Sequence, residues 1–191
     1  MKNLQIITIL AALFSLVIQV NAALEISSIN INIYTPATDT GSSITFGSLI
    51  DSFSSPDIHF GLWNSVYWDP VPGVTTHDNG VTWGADITGS LTVDTAGDYA
   101  VNLISDDGSY LFLIVNGSPA LVINNGGDHG TQGPTVVLTL NAGDNPFELQ
   151  YRENGIGGSG VWLTPEPLPT EPRSRAYNHD RRCPAAGAVW G

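Results

Sequence analysis

Basic residues are scarce in this chain. Only 6 of its 191 residues are lysine or arginine, against 18 aspartate and glutamate residues, which gives a formal net charge of −12. Between residues 23 and 172, Arg152 is the only basic residue. Such a surface repels nucleic acid and anionic membranes, and it suits cations or neutral sugars as partners. The same charge also serves plain solubility, so it does not identify a partner by itself.

Cysteine and long apolar runs are also nearly absent. Cys183 is the only cysteine, which excludes an intrachain disulfide. An exported domain of this kind must therefore depend on its apolar core, with or without a bound metal. After the first 22 residues, no apolar run is long enough to span a bilayer, so we expect no membrane anchor.

Residues 1–22 predict a secretory signal peptide. A short positive start precedes an apolar segment, and Val20 and Ala22 stand at the −3 and −1 positions of a cleavage site. The alternative is an uncleaved anchor helix, but the segment is shorter than the roughly 20 apolar residues that a span needs. Together with the lack of disulfides, this predicts a secreted protein exported by a bacterial-type route.

The fold class predicted for residues 23–164 is all-β, a single antiparallel β-sandwich. Short apolar runs are separated by glycine, asparagine, aspartate, serine and proline about every 8–12 residues, and no helical periodicity is sustained. In the first run, Ile29, Ile31 and Ile33 alternate with polar residues. Near the end, Phe147, Leu149 and Tyr151 alternate in the same way, and such alternation predicts strands with one buried face.

Residues 165–191 predict a proline-rich, disordered tail. Prolines at alternate positions lack the amide hydrogen that a sheet requires, and no periodicity follows them. The segment Thr164-Pro-Glu-Pro resembles the start of a bacterial PEP-CTERM sorting signal, but the apolar helix of that signal does not follow. The tail therefore looks like a truncated sorting signal, or the likeness is due to chance.

The segment Ser105-Asp106-Asp107-Gly108-Ser109 is the most informative motif in the chain. It joins two strand-like runs and sets two carboxylates side by side. Adjacent carboxylates repel each other and resist desolvation, so they either stay in water or hold a cation. The residues alone leave both readings open.

The order of several motifs resembles that of PA14 domains, β-sandwich modules of secreted adhesins, toxins and glycosidases. The resemblance runs from about residue 43 to 163. It depends on Gly97-Asp98-Tyr99, the Asp106-Asp107 segment, the strand at 111–115 with Asn116-Gly117, and segments 138–143, 147–154 and 160–163.

The resemblance implies a calcium site that binds the hydroxyls of a glycan or cell-surface polysaccharide. In lectin-like PA14 domains, two adjacent aspartates, often joined by a cis peptide bond, bind the ion together with an asparagine and loop carbonyls. Carried over by position, the metal ligands are Asp106, Asp107 and Asn154, with carbonyls from Ile156 or Gly158. Calcium prefers such oxygen ligands, and the glycine-rich loop at 155–160 lets backbone oxygens turn inward.

Other polar and aromatic residues are weaker candidates. Asp128 and His129 lie in a glycine-rich loop that could contact a ligand or be a solvated turn. Trp63 and Trp68 could form a sugar-stacking platform, although aromatic residues in a β domain more often belong to the core. The histidines lack the spacing of a zinc site.

The sequence therefore predicts a secreted, calcium-dependent carbohydrate-binding or adhesion module. A structural extracellular-matrix module, in which the same residues serve only the fold, is the alternative. A glycan hydrolase or its accessory domain is a weaker one, because no nucleophile motif or catalytic constellation is present and we expect no enzyme.

Overall fold

The computed structural model describes residues 24–61, 81–155 and 158–167, which form ten β-strands. In chain order the strands are β1 (Leu24–Asp39), β2 (Ile44–Ser55), β3 (His59–Gly61), β4 (Trp83–Val93), β5 (Gly97–Asp106), β6 (Ser109–Val115), β7 (Ser118–Asn125), β8 (Thr135–Leu140), β9 (Gly143–Glu153) and β10 (Gly160–Pro167).

The strands form two antiparallel sheets that pack face to face. The larger sheet has the order β2-β1-β4-β9-β6-β7, and the smaller has the order β3-β10-β5-β8. Apolar side chains of both sheets fill the layer between them, for example Ile31 and Leu149 from the larger sheet and Val101 and Val161 from the smaller. The predicted fold class, an antiparallel β-sandwich, is confirmed.

The period-two pattern of the sequence sets which face of each strand is buried. Ile29, Ile31 and Ile33 are at most 3% exposed, as their alternation predicts. Along β9 the buried residues are Phe147, Leu149, Tyr151 and Glu153, and the residues between them are partly exposed. Successive side chains of a strand point to opposite faces. A glutamate thus continues the buried row of β9 at the end of that strand.

The last strand runs to Pro167, so the expectation that residue 164 ends the sheet and that disorder begins at 165 is wrong. The amide of Leu163 donates to the carbonyl of Ile58, on the side of β10 that faces away from β5. Residues two apart direct their amides to the same side, so the nitrogens of Pro165 and Pro167 also face away from β5. Proline is tolerated there because no ladder hydrogen bond is lost.

Several predictions fall outside the described residues. These are the signal peptide at 1–22, the aromatic pair Trp63 and Trp68, the carbonyl of Ile156, and the tail beyond residue 167. Trp83, which lies close to that pair in sequence, is 1% exposed and belongs to the core. Among the described residues, none forms a helix long and apolar enough to cross a membrane.

Candidate metal centre

The Asp106-Asp107 segment carries the chain from one sheet to the other. Asp106 is the last residue of β5 in the smaller sheet, and Ser109 is the first residue of β6 in the larger sheet. A cis peptide bond joins Asp106 to Asp107, as the resemblance to PA14 domains implies. The two carboxylates therefore lie at one end of the sandwich, where the two sheets are connected.

Both aspartates are buried, so they do not lie open to bulk solvent. Asp106 is 5% exposed and Asp107 is 2% exposed. Glu153, at the end of β9, is also 2% exposed, and one carboxylate oxygen from each of the three residues lies within 4.8 Å of the others. Three acidic groups from two sheets thus share one buried site.

Two loops donate hydrogen bonds to the aspartates. The Asp107 carboxylate accepts the amide of His129 at Oδ1 and the amide of Asn154 at Oδ2, both at 2.9 Å. The Asp106 Oδ2 accepts the hydroxyl of Thr131 at 3.2 Å. His129 and Thr131 belong to the β7–β8 connection, residues 126–134, which we call the donor loop. These bonds fix the orientation of the carboxylates, and the charge of His129 also acts to lower the pKa of Asp106, which burial raises.

Tyr151 supports the site from inside the core. Its hydroxyl donates to the backbone carbonyl of Asp106 at 2.6 Å and accepts the amide of Gly160 at 3.0 Å. Its ring packs edge-to-face on Trp83, with centroids 5.4 Å apart. The same hydroxyl lies 3.2 Å from Glu153 Oε2, while Glu153 Oε1 accepts the amide of Gly155 at 2.9 Å. Tyr151 therefore ties the ends of β5, β9 and β10 together.

The shared burial makes the ionised state of these groups costly. Burial raises the pKa of Asp106, and hydrogen bonds from Thr131 offset part of this effect. Burial likewise raises the pKa of Asp107 against hydrogen bonds from Asn154 and His129. Burial, followed by the charge of Asp107, raises the pKa of Glu153 to about 8. Protonation or a nearby positive charge would each relieve this cost.

Arg152, the only lysine or arginine among the described ranges, does not supply that charge. Arg152 directly precedes Glu153, but strand alternation places their side chains on opposite faces of the larger sheet. Its guanidinium pairs with Asp128 instead, and its Nε donates to the carbonyl of Ala37 at 3.3 Å. The three buried carboxylates thus have no lysine or arginine partner within the described chain, although the charge of His129 offsets part of the rise that burial causes in the pKa of Asp106.

The donor atoms fit a hard divalent ion. Calcium binds carboxylate and carbonyl oxygens with flexible geometry, whereas zinc sites use cysteine and histidine. The carboxylates of Asp106, Asp107 and Glu153 are hard oxygen donors. Calcium would be held by these three groups.

The structure brings most of the described candidate residues to this end of the sandwich. Asn154 approaches Asp107 through its backbone amide, although 47 residues separate the two in sequence. Gly158 lies beside Asp106, and a Cβ atom placed on Gly158 would be 3.5 Å from Asp106 Oδ2. His129 donates its amide to Asp107, while the exposed Asp128 pairs with Arg152. That these residues bind a metal or ligand remains a prediction.

Sequence reasoning missed Glu153 as a member of the site. The signal was available, because Glu153 follows Tyr151 by two residues and therefore falls on the inward face of β9. A carboxylate at an inward position at the end of a strand is rare without a partner.

The two cavities of about 180 and 190 Å³ found beside β10 do not contain these carboxylates. One is lined by Asn102, Thr135 and Glu166, among others, and the second by His59 and Trp162, among others. A ligand at the carboxylate site would therefore bind at the loops rather than in either cavity.

Comparison with known proteins gives similar folds but no similar sequence. No family model and no curated protein matches the chain. An α-xylosidase structure from Xanthomonas citri has a TM-score of 0.55 at 13% identity, and the match covers 78% of this chain but 16% of the enzyme. At this identity the match shows the fold alone.

PA14 domains are also among the solved structures that the chain resembles. The PA14 domain of an antifreeze protein matches with a TM-score of 0.48 and 17% identity, covering 75% of this chain and 81% of that domain. The PA14 sugar-binding domain of an RTX adhesin matches with a TM-score of 0.46 and 17% identity, covering 73% of this chain and 88% of that domain.

Proposed function

We propose that this chain is a secreted, non-catalytic module that binds carbohydrate, or adheres to a glycan-bearing surface, through calcium. The observation that carries the proposal is the buried trio of Asp106, Asp107 and Glu153, which has no lysine or arginine partner in the described chain. A divalent ion would offset the repulsion and the lost hydration of these carboxylates.

Carbohydrate is the ligand class that the surroundings favour. Calcium takes 6–8 oxygen ligands, which leaves positions for ligand hydroxyls beyond the three carboxylates. The strongly acidic chain attracts no anionic polymer, so a neutral glycan is the natural partner. Asn154 and Gly158 lie in the loop next to the carboxylates, and we propose that they complete the ion's shell and shape the glycan site.

Calorimetric titration with calcium tests the metal site. We expect heat of binding for the natural sequence and none for the double variant Asp106→Asn and Asp107→Asn. The matched control is Asp98→Asn with Asp144→Asn, since both of these exposed carboxylates only accept a threonine hydroxyl. The control removes the same charge and should still bind. No heat with the natural sequence contradicts the calcium proposal.

A glycan array with calcium, and again with a chelator, tests the ligand. Retention of neutral glycans that the chelator abolishes supports a carbohydrate-binding module. Release of reducing sugar from any bound glycan contradicts the non-catalytic assignment.

A structural module is the second candidate, and the origin of the three carboxylates favours it. Asp106 and Asp107 lie at the end of β5 and in its connection to β6, whereas Glu153 lies at the end of β9. An ion bound by all three would therefore cross-link both sheets. A rise in melting temperature with calcium, without retention of any glycan on the array, would decide for this candidate.

A further inference from the structure

The donor loop, residues 126–134, is also fastened to a residue outside the three carboxylates. The amide of Gly127 donates to Asp39 Oδ2 at 2.8 Å. Asp39 lies at the end of β1, and 88 residues separate it from Gly127. The loop is therefore attached to the end of β1 through Gly127, two residues before His129 donates its amide to Asp107.

Asp39 is itself held in place by two further donors. Its Oδ1 accepts the hydroxyl of Tyr110 and the amide of Gly41, both at 2.6 Å. Burial alone would raise the pKa of Asp39, but the hydrogen bonds from Tyr110, Gly41 and Gly127, together with the charge of Arg152, outweigh it and lower the pKa. Asp39 also lies against the sheet crossing, because a Cβ added to Gly108 would be 3.1 Å from its Oδ2. Both Asp39 oxygens thus accept hydrogen bonds. An asparagine side chain has only one acceptor oxygen and could not accept all of them.

Arg152 fastens the same loop one residue further along. Its guanidinium pairs with Asp128, the neighbour of His129, and its Nε donates to the carbonyl of Ala37. Its backbone amide donates to the carbonyl of Gly108 at 2.9 Å. The Arg152 side chain is 12% exposed, so the charge pair rests on a largely buried guanidinium. Arg152 therefore connects the donor loop, β1 and the sheet crossing.

The ring of His129 contacts the backbone on both sides of this residue. Its two nitrogens each lie 2.9 Å from a backbone carbonyl, one of Asn125 and one of Gly130. With positions 127 and 128 anchored and the ring of 129 braced, the amide of His129 has little freedom to leave Asp107.

We infer that Asp39 and Arg152 are positioning residues: they hold the donor loop so that Asp107 and Asp106 are oriented for the ion before it binds. The inference rests on the proposed calcium function. Groups that orient metal ligands typically change metal affinity by about 10–100-fold when they are removed.

The direction in which Arg152→Met changes the calcium affinity distinguishes a positioning role from a simple electrostatic effect. Arg152→Met removes a positive charge near the site, which by charge alone would strengthen calcium binding. A positioning role predicts the opposite, a dissociation constant about tenfold higher or more by calorimetry. Tighter or unchanged binding by Arg152→Met overturns the inference while leaving the calcium proposal intact.

Two further variants control for stability and charge. Leu140→Ala opens a cavity in the core at the end of β8 that lies opposite the donor loop, and it should lower the melting temperature without changing the dissociation constant. Asp39→Asn should weaken calcium binding, whereas Asp98→Asn removes the same charge from an exposed site and should not. Equal effects of Asp39→Asn and Asp98→Asn would overturn the role of Asp39.

Amide hydrogen exchange tests the positioning without metal. In calcium-free protein, Arg152→Met and Asp39→Asn should accelerate exchange of the His129 amide by tenfold or more, and Leu140→Ala should affect it no more than neighbouring amides. Unchanged His129 exchange overturns the inference. If the natural sequence gives no calcium heat at all, the proposed function fails and this inference fails with it, even where the exchange data show a fastened loop.

Discussion

The hydroxyl of Tyr151 lies 2.6 Å from the backbone carbonyl oxygen of Asp106 and donates a hydrogen bond to it. This bond connects β9 of one sheet with the end of β5 in the other, directly beneath the paired aspartates. The geometry of the carboxylate site therefore depends on a core residue that cannot itself touch a ligand.

Tyr151→Phe should lower the free energy of unfolding by about 1–3 kcal/mol, because the Asp106 carbonyl and the Gly160 amide lose their buried partner. Urea denaturation measures the change. Tyr99→Phe is the matched control, since the Tyr99 hydroxyl donates only to the carbonyl of Thr95 in a turn. A loss for Tyr151→Phe no larger than that for Tyr99→Phe would contradict the structural role.

Glu153→Gln should have opposite effects on stability and on calcium affinity. Without metal, the variant removes one of three crowded buried charges, so we expect a higher unfolding free energy at pH 8 in the presence of a chelator. With calcium, it removes a strong ligand, so we expect a dissociation constant at least tenfold higher. Chemical denaturation and calorimetry check the two effects. Loss of stability in the chelator would show that Glu153 is not under electrostatic strain.

Asp86→Asn should stabilise the protein in a pH-dependent manner, away from the metal centre. Burial, followed by the charge of Glu148, raises the pKa of Asp86 from its ordinary value to about 6. The folded state therefore holds the proton more tightly than the unfolded state, and this group reduces stability as the pH rises from about 4 through 6. Among the described residues, Asp86 Oδ1 also has no hydrogen-bond partner.

The expected difference between Asp86→Asn and the natural sequence is about 1–2 kcal/mol at pH 7.5 and close to zero at pH 3.5. Urea denaturation of both proteins across this range measures it, and effects of other titrating groups cancel in the difference. A difference that does not change with pH would contradict the assignment.

Two glycines of the donor loop should differ in their tolerance of alanine. A Cβ at Gly133 would lie 1.9 Å from the backbone carbonyl oxygen of Leu103, whereas a Cβ at Gly130 would meet nothing within 4 Å. Gly133→Ala must therefore displace the loop, which should lower the melting temperature and weaken calcium binding. Gly130→Ala should leave both within error. Thermal unfolding and calorimetry of the two variants test this prediction. Equal melting temperatures and equal calcium affinities would mean that the loop is not closely packed at Gly133.

The sequence predicts the β-sandwich well because the alternation of apolar and polar residues, which indicates a strand, is a local signal. The alternation of Ile29, Ile31 and Ile33 needs only neighbouring residues to be read, and the structure buries all three. The strand at the proline-rich end is not predictable from the segment itself, because a strand accepts proline at position 165 only if that side of β10 is unpaired. That property belongs to the sheet and not to the segment.

The site was predictable only in part because its contacts join distant segments. The Asp106-Asp107 pair is visible as a motif, and Asn154 was reached only through resemblance to a family. The burial that turns these carboxylates into an unsolvated cluster depends on the closure of two sheets. The bond from Gly127 to Asp39 has no local signal at all, because 88 residues lie between them.

The free side of β10 presents carbonyl oxygens without amide hydrogens at Pro165 and Pro167. An open strand that offers both groups can recruit a strand from another molecule and seed aggregation. In the described part of the chain, β3 pairs with residues 160–162 of β10 and the carbonyl of Ile58 accepts the Leu163 amide, so only the border beyond residue 163 would otherwise be open to such recruitment. The two prolines leave an incoming strand without donors to pair with, and this border of the smaller sheet resists edge-to-edge polymerisation.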